Sequence, residues 1–234
     1  MGKRLPFACD KLSQRRVLAS RAMREIVPGI LTWPQFSERF GYDFNGHLVR
    51  HGDGNLAIDP VEPDAATLTE LVREGVARIV LTNRNHFRAA AQLAAATGAR
   101  VAVHPADATF VRDKGVRVDD ELVPGERLGP FGVVAAAGKS PGEVALYWPE
   151  RRLLIVGDAC VGNPPGRLSL LPDKVMDQPP VLRQSLRDLA ANLDFDTLLV
   201  GDGESILTRA RAALQSLVAT FDGSAPTPVS QPRG

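Results

Sequence analysis

The chain has 234 residues, 44% of them hydrophobic and 24% charged, with 28 basic against 27 acidic side chains and a formal net charge of +1. These proportions belong to an ordinary globular protein and exclude wholesale disorder. No run approaches the roughly 18 to 20 consecutive apolar residues of a membrane-spanning helix, and the basic start at Met1 to Arg4 leads into Pro6, Cys9, Asp10 and Lys11 where a secretory signal would turn apolar. The two cysteines, Cys9 and Cys160, are far apart, so neither a disulfide framework nor a cysteine zinc site is available, and a reducing cytoplasm is the expected compartment. Of the four histidines, His47, His51, His86 and His104, none lies in the second half of the chain.

Residues 1–25 carry seven basic against two acidic side chains and read as a solvated basic arm, with a weak amphipathic helix that would place Leu12, Ala19, Met23 and Ile26 near one face. Trp33 and Phe36 follow in a proline-punctuated segment, where they could roof a pocket or pack in the core. His47 to Arg50 and Asn55 to Ile58, joined through Gly52-Asp53-Gly54, read as a hairpin flanked by His47 and His51. Asp64 can cap a helix reaching about Glu74, Arg78 to Leu81 reads as a strand, and Phe87 to Thr97 as an alanine-rich helix stopped by Gly98. A strand at Arg100 to Val103 ends at His104-Pro105, followed by a loop-rich stretch with a turn at Pro124-Gly125. Phe131 to Ala136, Val144 to Trp148 and Leu153 to Val156 form a series of strands. A helix over about Val181 to Leu193, a strand at Thr197 to Val200 and a helix from Ile206 to Phe221 close one domain over 26–221, with residues 222–234 as a disordered tail.

Two familiar patterns fail. Gly138-Lys139-Ser140-Pro141-Gly142 matches G-x-S-x-G, yet a strand follows it where a helix is needed, and no histidine lies downstream to activate Ser140. The same Gly-Lys-Ser lacks the earlier glycine of a phosphate-binding loop, since that position is Val133.

Three segments together resemble the metallo-β-lactamase superfamily. Ile79-Val80-Leu81-Thr82-Asn83-Arg84-Asn85-His86-Phe87-Arg88 occupies the place of the family's T-H-x-H-x-D-H. Ala137 to Gly142, with the strand after it, is similar to its G-H-S/T-P-G turn. Leu153 to Cys160 is similar to the strand ending in its metal-bridging aspartate, and Leu198-Leu199-Val200-Gly201-Asp202-Gly203 is a weaker counterpart of its G-H-G. The resemblance implies an α/β fold, a four-layer αββα sandwich with the site at one edge. It also implies two metal ions, typically zinc, that generate an attacking hydroxide.

Residue by residue, the first two histidine ligands are replaced by Asn83 and Asn85, the aspartate by Phe87, the third histidine by Arg88, the turn histidine by Lys139 and the last histidine by Asp202. Asp158 alone is retained, and His86 falls at a spacer position. The family's dinuclear zinc is therefore not expected, nor any other cofactor. The cavity of Asn83, Asn85, Phe87, Arg88, Lys139, Asp158 and Asp202 is predicted to hold a salt-bridge cluster, Lys139 facing Asp158 and Arg88 facing Asp202 or Asp158. The oxygen-rich set of Asn83, Asn85, Asp158 and Asp202 would suit Mg²⁺ or Ca²⁺, against the repulsion of Arg88 and Lys139.

The leading expectation is a pseudoenzyme or a ligand-binding or interaction module, with a small molecule in the vestigial cavity. The alternative is a hydrolase of an ester, thioester or related substrate, using an atypical metal or acid-base work by His86, Lys139 and Asp158. Cys160 reads as a small buried apolar residue. No membrane contact is expected, the body is not basic enough for nucleic acid, and a homo-oligomer is compatible with everything above.

Overall fold

The computed structural model describes residues 23–222. The basic arm lies almost wholly outside that range, as does the tail. At the arm's end Arg24–Val27 form a strand, β1, so the expected helix does not extend to Met23 and Ile26.

Two sheets make the body. The first takes seven strands in chain order: β1, β2 (Ile30–Ser37), β3 (Tyr42–Val49), β4 (Leu56–Ile58), β5 (Arg78–Leu81), β6 (Arg100–Val103) and β7 (Asp120–Glu121). The second runs β12 (Thr197–Leu199), β11 (Leu153–Ile155), β10 (Val144–Trp148), β9 (Phe131–Ala135) and β8 (Arg127–Leu128). Helices α1 (Ala65–Glu74), α2 (Ala90–Thr97) and α3 (Pro105–Asp113) lie on the first sheet, and α4 (Pro179–Asn192) and α5 (Ala210–Ala219) on the second. This is the expected αββα sandwich.

The layers follow from alternation, because successive strand side chains point to opposite faces. In β5, Ile79 and Leu81 join Leu71, Leu93 and Val111 under the helices, while Val80 joins the core between the sheets. In β11, Leu154 faces Leu182 and Leu186 of α4, while Leu153 and Ile155 meet Ile58 and Val144 between the sheets. Strands buried on both faces need continuous apolar runs, and that is what β5, β6, β11 and β12 carry.

The sequence reading recovers most elements but not β1, β2, β7, β8 or α3. Strand β2 is hidden by Pro34, although Trp33 is buried there, its Nε1–H donating to the Val61 carbonyl at 2.9 Å, and Gly46 on β3 leaves room for its ring. Helix α3 occupies part of the stretch read as loop. His104 caps it by accepting from the Ala106 amide at 3.1 Å, and Pro105 stands in its first turn, where no donor is missed. Asp64 caps α1 through Thr67, as expected.

The connectivity places the chemistry. Strands β4, β5 and β6 are parallel, as are β11 and β12. Asp59, Thr82, Asp158 and Asp202 all follow the carboxyl ends of such strands, at one rim of the sandwich.

Candidate functional site

A buried imidazole forms the centre. His86, on a single 3₁₀ turn at Arg84–Phe87, is 2% exposed, with Nδ1 2.9 Å from Asp59 Oδ1 and Nε2 2.9 Å from Asp158 Oδ1. A carboxylate accepts, so both ring nitrogens donate and the ring is an imidazolium. Burial alone would depress its pKa, but Asp158 and Asp59 raise it well above the usual 6.5. A ring with both nitrogens committed at neutral pH is not a free base. His86 therefore belongs to the scaffold of the site, whereas the sequence pattern offered it as an acid-base candidate on a spacer position.

Asp59 is a residue the sequence analysis missed. Besides His86 it accepts from the Thr82 amide at 2.8 Å and the Thr82 hydroxyl at 2.7 Å, and it is buried. Its signal was present: Leu56-Ala57-Ile58-Asp59 is an apolar strand ending in aspartate, like the run ending at Asp158. Gly157 brings these strand ends together. Its φ is +54°, and a Cβ there would sit 2.1 Å from the Thr82 hydroxyl.

Asp158 also meets Lys139, whose Nζ lies 3.5 Å from Oδ2, as the predicted pairing required. Burial would push the carboxyl up, but His86 and Lys139 outweigh it and hold Asp158 below the ordinary carboxylate range. Lys139 is itself 6% exposed. Its loop is held by Asp107 of α3, a second missed residue, which accepts from Ser140 Oγ at 2.5 Å, Gly142 N at 3.1 Å and Arg84 N at 2.9 Å. One buried carboxylate thus ties the Lys139 loop to the His86 turn. Ser140, fully buried on Asp107, is no nucleophile.

The other cavity residues divide. Asn83 is buried, its Nδ2 donating to Glu143 Oε1 at 3.3 Å and its Oδ1 accepting from the Asn85 amide at 2.8 Å. Glu143, a third missed residue, is pushed well above the carboxylate range by burial and then by Asp158. Phe87 does not enter the cluster. It packs with the helix-side core and meets the Phe110 ring edge-on at 6.2 Å.

Arg88 departs from the predicted pairing. Its guanidinium lies over the Phe44 ring, 4.5 Å from the centroid, and its buried Nε has no hydrogen-bond partner. Asp202 is 6% exposed with Oδ1 equally unpartnered, and burial, then Asp158, raises its pKa to about 7. The same pair of carboxylates, after burial, lifts the Tyr42 phenol to about 12.

The remaining histidines and Cys160 are quickly placed. His47, which the sequence places beside the hairpin, is buried on β3, with its Nε2–H on the Val200 carbonyl at 3.2 Å. Burial lowers its pKa to about 4, so it is neutral. His51 stays at the hairpin turn, edge-on to Trp148 at 6.4 Å. Cys160 is buried, and burial raises its thiol. A cavity of about 540 Å³ is lined by Tyr42, Asn45, Asn163, Gly203 and Ser205 among others.

The sequence profile of the metallo-beta-lactamase superfamily matches residues 23–221. The chain is 32% identical over 176 residues to the hydroxyacylglutathione hydrolase of Acidiphilium cryptum, covering 71% of this chain and 66% of that protein. It is 30% identical over 193 residues to the enzyme of the same name from Cereibacter sphaeroides, with 79% and 69% covered. The chain thus spans about two thirds of the length of these curated relatives. Among solved structures, TTHA1623 in a di-iron-bound form is similar at 26% identity and a TM-score of 0.58, covering 75% of this chain and 94% of that one. The lactamase TMB-1 shares the fold, with a TM-score of 0.70 at 16% identity over 86% and 98% of the two chains.

These matches correct the expectation that no cofactor is involved, since a relative of this chain is solved with two irons bound. The donor set here nevertheless does not fit a histidine-ligated pair of ions. Two fixed cations, Arg88 and Lys139, occupy ligand positions, and Asp158 is already shared between His86 and Lys139. Among the described residues no three His, Cys, Asp or Glu side chains group to hold an ion. Nor is any of their helices long and apolar enough to cross a membrane.

Proposed function

Because the chain belongs to the metallo-β-lactamase superfamily, we propose that it is a hydrolase of thioesters of the hydroxyacylglutathione type. Of the two readings open to the sequence, the relatives named above support the hydrolase and not the pseudoenzyme. The observation that carries the proposal is a buried carboxylate with a free oxygen, Asp202, in the same cluster as the Lys139–Asp158 pair. Near pH 7 Asp202 is partly ionised, which suits a group that must both take and return a proton.

In this reading the Lys139 ammonium, oriented by Asp158, takes the thioester carbonyl oxygen and stabilises the negative charge that forms on it. Asp202 removes a proton from water, and the water oxygen bonds to the carbonyl carbon. The carbon–sulfur bond then breaks, and Asp202 returns the proton to the departing thiolate, leaving a carboxylic acid and a thiol. His86 holds Asp158 against Asp59, so the orientation of Lys139 is set from beneath. The Tyr42 phenol, protonated at neutral pH, is a donor at the margin.

Thiol release from a hydroxyacylglutathione tests the proposal, run on purified protein as isolated, after chelation, and with iron, zinc or manganese added. The expected result is release well above the buffer rate that falls at least about a hundredfold in both Lys139→Ala and Asp202→Asn. No release under any of the metal conditions would sink the thioester reading.

A further inference from the structure

Three cations surround Asp158 and Asp202, and two of them are committed. His86 is bonded at both nitrogens, and Lys139 is buried on Asp158. Arg88 is different. It is partly exposed, its guanidinium rests on the face of Phe44 at 4.5 Å, and its Nε lacks a partner.

That arrangement has a chemical meaning. A guanidinium carries five N–H donors in one plane, and stacking on a ring uses the face of that plane and none of its donors. Phe44 therefore holds the guanidinium carbon 4.5 Å from its ring centroid without using a donor, and the Nε–H is left without a partner. Among the described residues no hydrogen bond or ion pair joins Arg88 to Asp202, whose Oδ1 is itself unpartnered. Buried polar groups in folded proteins are normally satisfied, so a guanidinium held this way is arranged for an acceptor from outside the chain. The acceptor that matches two parallel N–H groups in a plane is a carboxylate.

The approach to Arg88 is also built. Phe44 joins Tyr42 and Phe40 in a set of mutual ring contacts at 5.8 to 6.1 Å, and Phe40, at the hairpin tip, is 48% exposed. An aromatic strip thus runs from the surface to the guanidinium. Phe44 is also bridged through its backbone to Asp202, so the floor under Arg88 is tied to the segment that carries the free carboxylate. A ligand with an uncharged stem along the rings and a carboxylate at its end would bring that carboxylate to Arg88.

We propose that Arg88 is the specificity-determining residue of this site, binding a carboxylate on the thiol half of the substrate. The inference rests on the thioester-hydrolase reading and deepens it: thioesters of acidic thiols are selected over thioesters of neutral ones. The residue that stands where the family has a metal-binding histidine has exchanged a metal contact for a substrate contact.

The test compares two probes, glutathione and its dimethyl ester, by titration calorimetry at fixed ionic strength on the wild-type chain, Arg88→Met and Arg88→Lys. The wild type is expected to bind the free acid at least about tenfold more tightly than the ester, as a lost charge-assisted bidentate contact implies. Arg88→Met should bind the two alike. Arg88→Lys, which retains the charge but not the planar fork, should keep part of the discrimination. Equal affinity for acid and ester in the wild type, or undiminished discrimination in Arg88→Met, overturns the proposal. Should Arg88→Met fail to fold, Arg88→Gln carries the same comparison, with the same two outcomes. Hydrolysis of a glutathione thioester and of a neutral N-acetylcysteamine thioester, measured in parallel, separates the two layers. Discrimination in binding without turnover of either thioester removes the hydrolase and supports the carboxylate site; turnover of both without discrimination does the reverse.

Discussion

The Nε2 of His86 lies 2.9 Å from Asp158 Oδ1, at the heart of a buried ion triad whose other end is Asp59. The imidazolium is bonded at both nitrogens, and the two carboxylates are in turn held by Thr82 and Lys139. Buried ions are tolerated only in such complete networks.

Removing the middle of the triad leaves two carboxylates facing each other. His86→Asn should therefore lower unfolding free energy by about 3–5 kcal/mol, read by urea titration at pH 7. A loss under about 1 kcal/mol would mean that the triad is not ionised as described.

The pH dependence of that loss has a definite sign. The folded pKa of His86 is raised, so its contribution is complete below the ordinary value of 6.5 and is lost progressively as pH rises from there through the higher folded value. The folded pKa of Asp158 is depressed, so its share is present above 3.8 and lost as pH falls below it. The difference between wild type and His86→Asn should be flat from about pH 4 to 6.5 and shrink on either side, as pH rises above 6.5 toward the folded value of His86 and as it falls below 3.8.

Asp202 should behave oppositely. Its folded pKa, about 7, exceeds the unfolded 3.8, so the folded state binds the proton more tightly and loses stability as pH rises from about 4 to 7. Asp202→Asn is expected to raise the melting temperature at pH 8 and leave it unchanged near pH 4, while abolishing thiol release. A variant destabilised at pH 8 would show that the carboxylate is paired after all.

Asp107 joins two loops through three hydrogen bonds. Asp107→Ala leaves the buried Gly142 amide, the part-buried Arg84 amide and the Ser140 hydroxyl without acceptor, a destabilisation of roughly 2–4 kcal/mol. The Lys139 loop and the His86 turn should lose amide-exchange protection together. Protection lost in only one of them would break the proposed coupling.

Gly157 admits no side chain. Gly157→Ala puts a Cβ on the Thr82 hydroxyl in a left-handed backbone conformation, and a loss of at least about 3 kcal/mol is expected in thermal or urea unfolding.

The sequence by itself determined the layers. The continuous apolar runs of β4, β5 and β11 are a local property, readable along the chain, and they require a strand buried on both faces, between helices and a second sheet. Counting added one limit: the chain has four histidines, and His86 alone falls inside a motif. Partnership was another matter. His86 finds Asp59 and Asp158, 27 and 72 residues away, because parallel strands deliver their carboxyl ends to one rim. Arg88 was expected on a carboxylate and lies on Phe44, and Asp107 was part of an apparent loop until α3 turned it toward Ser140. Charge type and count are written in the chain. Which charges meet, and which one stays open for a ligand, only the tertiary structure decided, because desolvation and distance act through space and not along the sequence.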